Sequence, residues 1–397
     1  MKKTWKALSL VLALLLTLPL AFAFTGCSGK KYDKIVIGGI GPLTGDYANY
    51  GDAVRKGAEL AVEELKDSFK NDTGLALEIY FEDSKADGEE AKKAYNTLMD
   101  KKMNVSLGCV LSGETKNVVA EAKADKIFIL TPSASADKAI DGNDRAFRVC
   151  FADSAQGTLS ANYIADNGLA TKVAVFYQSD IDYSNGLYET FKATCATKGI
   201  TIVAEQSFTT QTNTDFSTQI TAIQNSGAEL IFAPIYAAEC STFLTQASGK
   251  ITVPVFGCDG LDGILGKLDG NEQYAEGVML LTPFSADSED AKVKSFVNAY
   301  KTKYNAVPDQ FAADGYDAVY EIVEALKNLK VNSKSDLSPA ALGEALAKEF
   351  TTLTYKGVTG ETSWSADGNS NKTALAMVIE KDADGNYVTV LHKTSDK

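Results

Sequence analysis

The stretch Ile35-Val36-Ile37-Gly38-Gly39-Ile40 predicts a short buried β-strand, because β-branched residues stand together and are followed by glycines. Residues 50–66 come next, and their apolar side chains are spaced to cover one face of a helix. Residues 76–81 again have the pattern of a strand. A strand, a helix and a second strand in this order indicate a parallel pair, so the stretch predicts the first unit of an α/β fold.

The same alternation continues along most of the chain in two successive series. In the first series, strands are predicted at 105–108 and 127–130 and helices at 89–100 and 114–124. After a hydrophobic passage at 147–151 the alternation starts again. The second series has its predicted helices and strands at 155–167, 172–177, 184–198, 201–206, 216–225, 230–234, 238–247 and 253–256. Each series predicts a parallel sheet with helices on both faces.

We expect these series to form two doubly wound parallel-sheet lobes rather than one long sheet. The helices predicted between residues 290 and 350 are assigned to the first lobe, and the strands predicted between residues 374 and 391 to the second. The predicted lobes, which three crossovers join, comprise residues 34–151 with 283–358 and residues 152–282 with 359–397. Because open α/β sheets bind ligands at the carboxyl ends of their strands, we expect a ligand pocket between the lobes.

The N-terminus has the pattern of a bacterial export signal. A lysine-rich start precedes the almost entirely apolar stretch 7–24, and small residues lead to Cys27. A cysteine at this place resembles a bacterial lipobox, in which Cys27 would carry the lipid. We therefore expect a signal peptide at 1–26, a lipid tether at 27–33 and an exported protein anchored to the outer face of the cytoplasmic membrane. An uncleaved membrane helix stays open as an alternative, since about 18 apolar residues span roughly 27 Å.

Charge and histidine content exclude several classes of function. Removal of residues 1–26 takes away three lysines and changes the formal net charge from −13 to −16. This acidity argues against nucleic acid and against an anionic lipid surface as partners. His392 is the only histidine. A Ser-His-Asp or Cys-His nucleophile system and a His-rich metal site therefore have no support, and we expect neither catalysis nor a cofactor.

Five further cysteines follow Cys27, and they are Cys109, Cys150, Cys195, Cys240 and Cys258. None stands in a C-x-x-C arrangement, and their odd number leaves at least one thiol without a partner in the same chain. We expect them to be small buried side chains, while a single disulfide of undetermined pairing stays open.

Hydroxyl side chains follow two successive strands of the first lobe, where helices are predicted to begin. Ser112 is expected to be the N-cap of its helix, and Ser133 and Ser135 come after the next strand. Helix starts present unpaired N–H groups and a partial positive charge, so these serines are candidates for an anion site. The alternative is that they only cap their own helices.

An acid and three tyrosines lie at other strand ends. Asp259 comes directly after an apolar strand, where burial would remove water from its carboxylate and favour a bound cation such as an ammonium group. An Asp-Gly turn is the alternative explanation. Tyr50, Tyr183 and Tyr236 would line a shared pocket, unless they are ordinary surface aromatics.

Six stretches together carry a resemblance to a known family. They are Gly41-Pro42-Leu43-Thr44-Gly45 through Tyr50-Gly51, Gly108 through Ser112-Gly113, Thr131-Pro132-Ser133-Ala134-Ser135, Tyr183-Ser184-Asn185-Gly186, Phe256-Gly257-Cys258-Asp259-Gly260 and Phe311-Ala312-Ala313-Asp314-Gly315-Tyr316-Asp317-Ala318. The chain resembles the type I periplasmic binding proteins, in their branched-chain amino acid subfamily, from about Lys34 to Leu391.

The resemblance implies that Ser112 and Ser135 bind the α-carboxylate of an amino acid through hydroxyl and backbone N–H groups. It also implies that Asp259 and the Ser133 carbonyl accept the α-ammonium group. The tyrosines implied to line the pocket and close over it are Tyr50, Tyr183 and Tyr236. Three features depart from the family pattern, which has glutamate in place of Asp259, threonine in place of Ser135, and a disulfide beside the first serine that Leu111 and Ala86 cannot form.

The expected function is that of a membrane-tethered, monomeric substrate-binding protein that delivers a small zwitterion to the permease subunits of an ABC importer. A branched-chain or related amino acid is the expected ligand, and the lobes would close on it by a hinge motion. Two alternatives stay open. One is a binding protein for another small ligand, such as an amide, urea or short peptide, and the other is a ligand-sensing receptor component.

Overall fold

The computed structural model describes residues 32–392. The predicted signal peptide, Cys27 and most of the predicted tether lie outside the described residues, as does the stretch 393–397. No helix between residues 32 and 392 is long and apolar enough to cross a membrane.

A five-stranded parallel sheet forms the centre of the first lobe. Its strands are β1 (Ile35–Gly41), β2 (Leu77–Asp83), β3 (Val105–Cys109), β4 (Ile129–Thr131) and β5 (Ala146–Arg148), in the order β2-β1-β3-β4-β5. The helices between them are α1 (Ala48–Thr73), α2 (Gly88–Asp100) and α3 (Ser112–Ala122). β1 and β3 are buried along their whole length, because helices cover both faces of the sheet.

The second lobe repeats this arrangement. Its parallel strands are β6 (Lys172–Gln178), β7 (Thr201–Phe208), β8 (Leu230–Phe232), β9 (Val255–Gly257) and β10 (Met279–Thr282). The accompanying helices are α4 (Asp153–Asp166), α5 (Asp182–Lys198), α6 (Ser217–Gln224) and α7 (Ala237–Ala247).

The chain then returns to the first lobe. This part comprises α8 (Ala291–Tyr304), α9 (Gln310–Asn328), α10 (Pro339–Phe350) and a hairpin of β11 (Thr354–Gly357) and β12 (Gly360–Ser363). A β-carbon on Gly57 of α1 would lie 1.8 Å from the Ala312 carbonyl oxygen of α9, and one on Gly315 would lie 2.4 Å from the Val54 oxygen. These two glycines therefore allow α1 and α9 to pack backbone against backbone.

Two final strands complete the second sheet. β13 (Leu375–Lys381) pairs antiparallel with β10, and β14 (Tyr387–Leu391) pairs antiparallel with β13. The seven strands have the order β7-β6-β8-β9-β10-β13-β14. Counted from the first strand of each lobe, both sheets share the doubly wound order 2-1-3-4-5. The predicted α/β class with two parallel-sheet lobes is confirmed.

The third crossover between the lobes lies close to the hairpin of β11 and β12. Asp317 of α9 accepts hydrogen bonds from the backbone N–H groups of Val358 and Thr359, at 2.9 and 2.8 Å. The first lobe therefore holds the turn of the hairpin. The predicted lobe boundary at residue 358 divides this hairpin. We propose that the third crossover instead lies between residues 364 and 374.

The start of α3 differs from the sequence prediction. Leu111 is the N-cap residue and Ser112 is the first residue of the helix, so the prediction that Ser112 is the N-cap is wrong by one position. The Ser112 hydroxyl does not cap α3, and it accepts a hydrogen bond from another loop, as described below.

The five cysteines that follow Cys27 are all buried and free. The expectation that they are small buried side chains is confirmed, and a disulfide among these five is excluded. No cross-link between cysteines of the described chain therefore limits the movement of one lobe against the other.

Replacement of Gly57 by alanine should destabilise the protein, because the added methyl group would meet the backbone of α9 rather than a flexible side chain. Overpacking of this kind should lower the free energy of unfolding in urea by about 2 kcal/mol. Gly113→Ala in α3 is the matched control, since no atom lies within 4 Å of its added β-carbon. Equal stability of the two variants would contradict the close packing of α1 on α9.

Candidate ligand-binding site between the lobes

The switch points of the two sheets meet in one crevice. The strand order reverses between β1 and β3 in the first lobe and between β6 and β8 in the second. At such a point the following loops lead to opposite faces of the sheet and leave a gap at the carboxyl ends of the strands. Tyr50 and Ser112 follow β1 and β3, while Tyr183 and Tyr236 follow β6 and β8.

One small cavity between the lobes is lined by every residue that the sequence assigns to the ligand site. The lining residues are Tyr50, Ser112, Ser133, Ser135, Tyr183, Tyr236 and Asp259, together with Val110, Leu111, Gly260 and Phe311. The cavity measures about 10 Å³, which is room for roughly one water molecule. A larger ligand can therefore enter only after the lobes have moved apart.

Three serines form the first-lobe wall around the N-terminus of α3. The Ser112 hydroxyl accepts a hydrogen bond from the Ala136 N–H at 3.0 Å. The Ser133 hydroxyl donates to the Val110 carbonyl oxygen at 2.8 Å, and Ser135 is buried beside them. Because the first N–H groups of a helix have no partner within it, this wall can bind a negatively charged group.

The opposite wall carries the carboxylate of Asp259, which is 2% exposed. One of its oxygens accepts hydrogen bonds from the Tyr183 hydroxyl and from the Gly260 N–H, both at 2.8 Å. Burial raises the pKa of Asp259 to about 6, although these hydrogen bonds favour the ionised form. Both partners are neutral, so they leave the charge uncompensated, and a cation in the cavity would be bound favourably.

A second buried carboxylate, Asp153, lies close to this wall, and the sequence patterns did not assign it to the site. It is the first residue of α4 and is 0% exposed, no cation binds its carboxylate within residues 32–392, and the Ser135 side chain lies close enough to favour the ionised form. Burial and the negative charge of Asp259 hold the pKa of Asp153 well above its ordinary value. An acid at a helix start was the available signal, but capping explains such a residue equally well.

Arg148 of β5 was also missed, because the sequence around it has the pattern of a hydrophobic passage. Its side chain is fully buried, and its guanidinium group donates to the carbonyl oxygens of Ala134, Ser135 and Asp137. These hydrogen bonds hold the loop that carries Ser133 and Ser135 against the guanidinium group. The shape of the first-lobe wall therefore depends on Arg148.

Tyrosines connect the two walls. The Tyr50 hydroxyl of the first lobe donates to the Gly260 carbonyl oxygen at 2.6 Å and accepts from the Ala237 N–H at 2.8 Å, and both partners belong to the second lobe. Tyr183 and Tyr236 stack with ring centroids 4.7 Å apart. The site is thus covered by aromatic rings, and one of them holds the lobes together by hydrogen bonds.

A wider cavity of about 670 Å³ adjoins the site, and Leu111, Tyr183 and Tyr236 line both spaces. Lys116 of the first lobe and Asp182 of the second form an ion pair on its walls, at 2.7 Å. Its other polar lining residues are Tyr47, Glu114, Asn117, Gln178, Asp180 and Thr210. Space with polar walls therefore continues beyond the small cavity.

Two similar lobes with one crevice between them are the architecture of a protein that binds a small ligand between its lobes. The model of the periplasmic binding protein family matches residues 34–385, and the chain belongs to this family.

Individual relatives show how close the similarity is. The chain is 30% identical over 340 residues to Leu/Ile/Val-binding protein homolog 3 of Brucella melitensis, over 84% of this chain and 91% of the relative. It is 26% identical over 326 residues to the leucine-, isoleucine-, valine-, threonine-, and alanine-binding protein of Pseudomonas aeruginosa, over 81% of this chain and 84% of the relative. The crystal structure of LivJ from Streptococcus pneumoniae in complex with isoleucine has a TM-score of 0.79 at 30% identity, over 90% of this chain and 99% of LivJ.

These similarities bear on several predictions from the sequence. The resemblance to the branched-chain amino acid subfamily of type I periplasmic binding proteins is confirmed. The prediction of a binding protein rather than an enzyme is confirmed as well. A periplasmic family also means that the protein is exported, as the sequence predicted.

Arg148→Met should destabilise the protein, because it leaves buried carbonyl oxygens of the serine loop without a donor. The free energy of unfolding in urea should fall by about 3 kcal/mol. Arg145→Met is the matched control, since Arg145 also donates to backbone carbonyls, those of Lys126 and Ala340, but where water can replace it. Arg145→Met should change the free energy of unfolding by no more than about 0.5 kcal/mol. Similar losses in both variants would show that the buried loop does not depend on Arg148.

Proposed function

We propose that the protein is the substrate-binding component of an ABC importer and binds a small zwitterionic amino acid, branched-chain or related, between its lobes. The observation that carries this proposal is one cavity with serines at a helix N-terminus on one wall and the uncompensated carboxylate of Asp259 on the other. A free amino acid has complementary groups, a carboxylate and an ammonium, on one carbon atom. The names of the relatives, among them a Leu/Ile/Val-binding protein and an isoleucine complex, support this class of ligand.

The head group of the amino acid would bind between the two walls. Ser112 and Ser135 would bind the α-carboxylate through hydroxyl and N–H groups, because the start of α3 favours negative charge. The α-ammonium group would lie against Asp259 and the Ser133 carbonyl oxygen. Asp153 would be a second acceptor close to the ammonium group, since its carboxyl group lies near Asp259.

The remaining wall of the cavity suits an apolar side chain. Val110, Leu111 and Phe311 line it, and the rings of Tyr50 and Phe311 lie with centroids 4.7 Å apart. Burial of apolar surface contributes about 25 cal/mol per Å². This wall therefore favours a branched aliphatic side chain over a polar one of similar size.

Binding would require opening and closure of the lobes about the three crossovers. The hydrogen bonds of Tyr50 to Gly260 and Ala237 would form again on closure. Closure would exclude water from the cavity and so strengthen the attraction between the ammonium group and Asp259. The closed form would then dock on the permease and deliver the ligand.

The proposal includes a monomeric protein that is anchored to the outer face of the cytoplasmic membrane. Cys27 would carry the lipid after removal of residues 1–26, and both lie outside the described residues. One acyl chain gives only marginal binding, so a stable anchor needs a doubly acylated cysteine. Such a tether would raise the effective concentration of the binding protein at its permease.

Asp259→Asn should weaken the binding of leucine by about 2–5 kcal/mol, because the ammonium group would be buried without a counter-charge. Isothermal titration calorimetry of the wild type and the variant measures this loss. The control ligand is 4-methylpentanoic acid, which is leucine without its ammonium group, and the substitution should not weaken its binding. Equal affinity of both proteins for leucine would refute the assignment of the ammonium site.

The affinity for leucine should fall as the pH drops through about 6, the pKa of Asp259 in the ligand-free protein. The ammonium group binds the ionised carboxylate, so binding lowers this pKa and releases a proton at acidic pH. Above about pH 7 the carboxylate is already ionised and the affinity is constant, whereas below about pH 6 it should fall by up to about tenfold per pH unit. Calorimetry at several pH values tests this, and a flat profile in the wild type, or the same slope in Asp259→Asn, contradicts it.

The adjoining wide cavity favours a second candidate ligand, an amino acid with a longer, hydrogen-bond-donating side chain or a short peptide. Acceptors predominate on its walls, where Glu114, Gln178, Asp180 and Asp182 stand beside one cation, Lys116. Glu114 and Gln178 each leave one buried oxygen without a partner within residues 32–392. Tighter binding of glutamine, arginine or a leucyl dipeptide than of leucine, in the same calorimetric titration, would favour this candidate.

A further inference from the structure

The turn that carries Asp259 makes a second contact with the first lobe, through Asp262. Asp262 follows the short 3-10 turn Asp259–Leu261 and is buried. One of its carboxylate oxygens accepts a hydrogen bond from the backbone N–H of Gln310 at 2.8 Å, and the other accepts from the Gly263 N–H at 3.0 Å. Gln310 is the first residue of α9, so the bond to Gln310 joins the two lobes.

This contact is favourable because α9 presents its positive end to a negatively charged group. The helix has 19 residues, and the N–H of its first residue has no partner within the helix. Asp309 caps the same end from its own lobe by accepting a hydrogen bond from the Ala312 N–H at 2.9 Å. The N-terminus of α9 is therefore capped by both lobes at the same time.

Asp262 is tied to the candidate ammonium acceptor. The backbone N–H of Asp262 donates to the carbonyl oxygen of Asp259 at 2.9 Å, and the side-chain amide of Gln310 lies 3.5 Å from the same oxygen. Because only two residues separate the two acids, a movement of Asp262 would be transmitted to the turn that carries Asp259. This turn is thus held by the first lobe at Asp262, while the Asp259 carboxylate is held by Tyr183 and Gly260 of its own lobe.

The carboxylates of Asp262 and Asp309 also influence each other. Burial raises the pKa of Asp262 to about 6, and burial together with the charge of Asp262 raises that of Asp309 to about 7. Their repulsion opposes the contact, and the N–H groups at the start of α9 offset it. The net effect of the contact should therefore be moderate.

We propose that Asp262 is a positioning residue for ligand binding, which holds the lobes closed through the N-terminus of α9 and keeps Asp259 directed at the ligand. The inference rests on the proposed function and adds a determinant of how long the ligand stays bound. The contact exists only while the lobes touch. Its loss should therefore accelerate opening and ligand release and leave the encounter with the open form unchanged.

Stopped-flow measurements of leucine binding separate these two rates. In Asp262→Ala, dissociation should be about tenfold faster, as expected for one charge-assisted hydrogen bond. The association rate constant should not fall, because the contact is absent from the open form that the ligand enters. Asp262→Asn keeps an acceptor oxygen and loses the charge, so its dissociation rate should lie between those of Asp262→Ala and the wild type. The control is Asp290→Asn, because Asp290 also accepts a hydrogen bond at a helix start, from the Lys292 N–H of its own helix α8 at 2.8 Å, but makes this bond within one lobe.

A second measurement needs no ligand. Lys85→Cys and Gln211→Cys place exposed thiols beside the wide cavity, one on each lobe. The native cysteines within residues 32–392 are buried and free, so spin labels would attach to the introduced thiols. Distances between the two labels give the ratio of closed to open molecules. Asp262→Ala should lower this ratio about tenfold, and Asp290→Asn should leave it unchanged.

Faster dissociation together with a lower closed-to-open ratio supports the role of Asp262. Unchanged dissociation and an unchanged ratio in Asp262→Ala overturn it, and so does slower association with unchanged dissociation, which indicates damage to the open form. An equal effect of Asp290→Asn also overturns it. If the wild type binds no amino acid, the proposed function fails, and the label distances alone decide whether Asp262 holds the lobes closed.

Discussion

In each sheet the parallel strands all end at the same edge, and this constraint brings most residues of the site together. Both sheets have the strand order 2-1-3-4-5, so each has a switch point at that edge, and the two edges face each other. Tyr50, Ser112 and Asp259 are far apart in the sequence, yet they line one cavity because each lies within nine residues of the carboxyl end of a strand. The chemistry of the cavity depends on this topology more than on any single loop.

The site also concentrates charge in places where water is excluded. Asp259 and Asp153 are buried without a compensating hydrogen-bonded cation, while Arg148 is surrounded by carbonyl oxygens. Buried charges of this kind cost stability and cluster at functional sites. The protein tolerates them because the rest of each lobe is packed closely, as the backbone contact between α1 and α9 shows. A ligand with a positive charge beside the two acids would remove part of that cost.

Local patterns in the sequence were sufficient for the fold and for the choice of residues that the structure brings together in one cavity. The first strand was predicted at 35–40 and extends to Gly41, because its β-branched residues need no distant partner to be recognised. Asp259 was a candidate because it follows an apolar strand, and the serines were candidates because they stand at predicted helix starts. Only their assignment to the groups of an amino acid came from the family resemblance. Arg148 and Asp262 could not be found in this way. Their partners, the 134–137 loop and the start of α9, are brought to them only by the folded structure.

The buried thiols have a consequence for where the protein can be made. Burial raises the pKa of all five, that of Cys195 to about 12, and only the thiolate form attacks disulfides or is readily oxidised. Because these cysteines form no disulfide and stay protonated, the native fold does not require an oxidising compartment or a disulfide isomerase. The same polypeptide can therefore reach its structure in the reducing cytoplasm of an expression host and beyond the membrane alike.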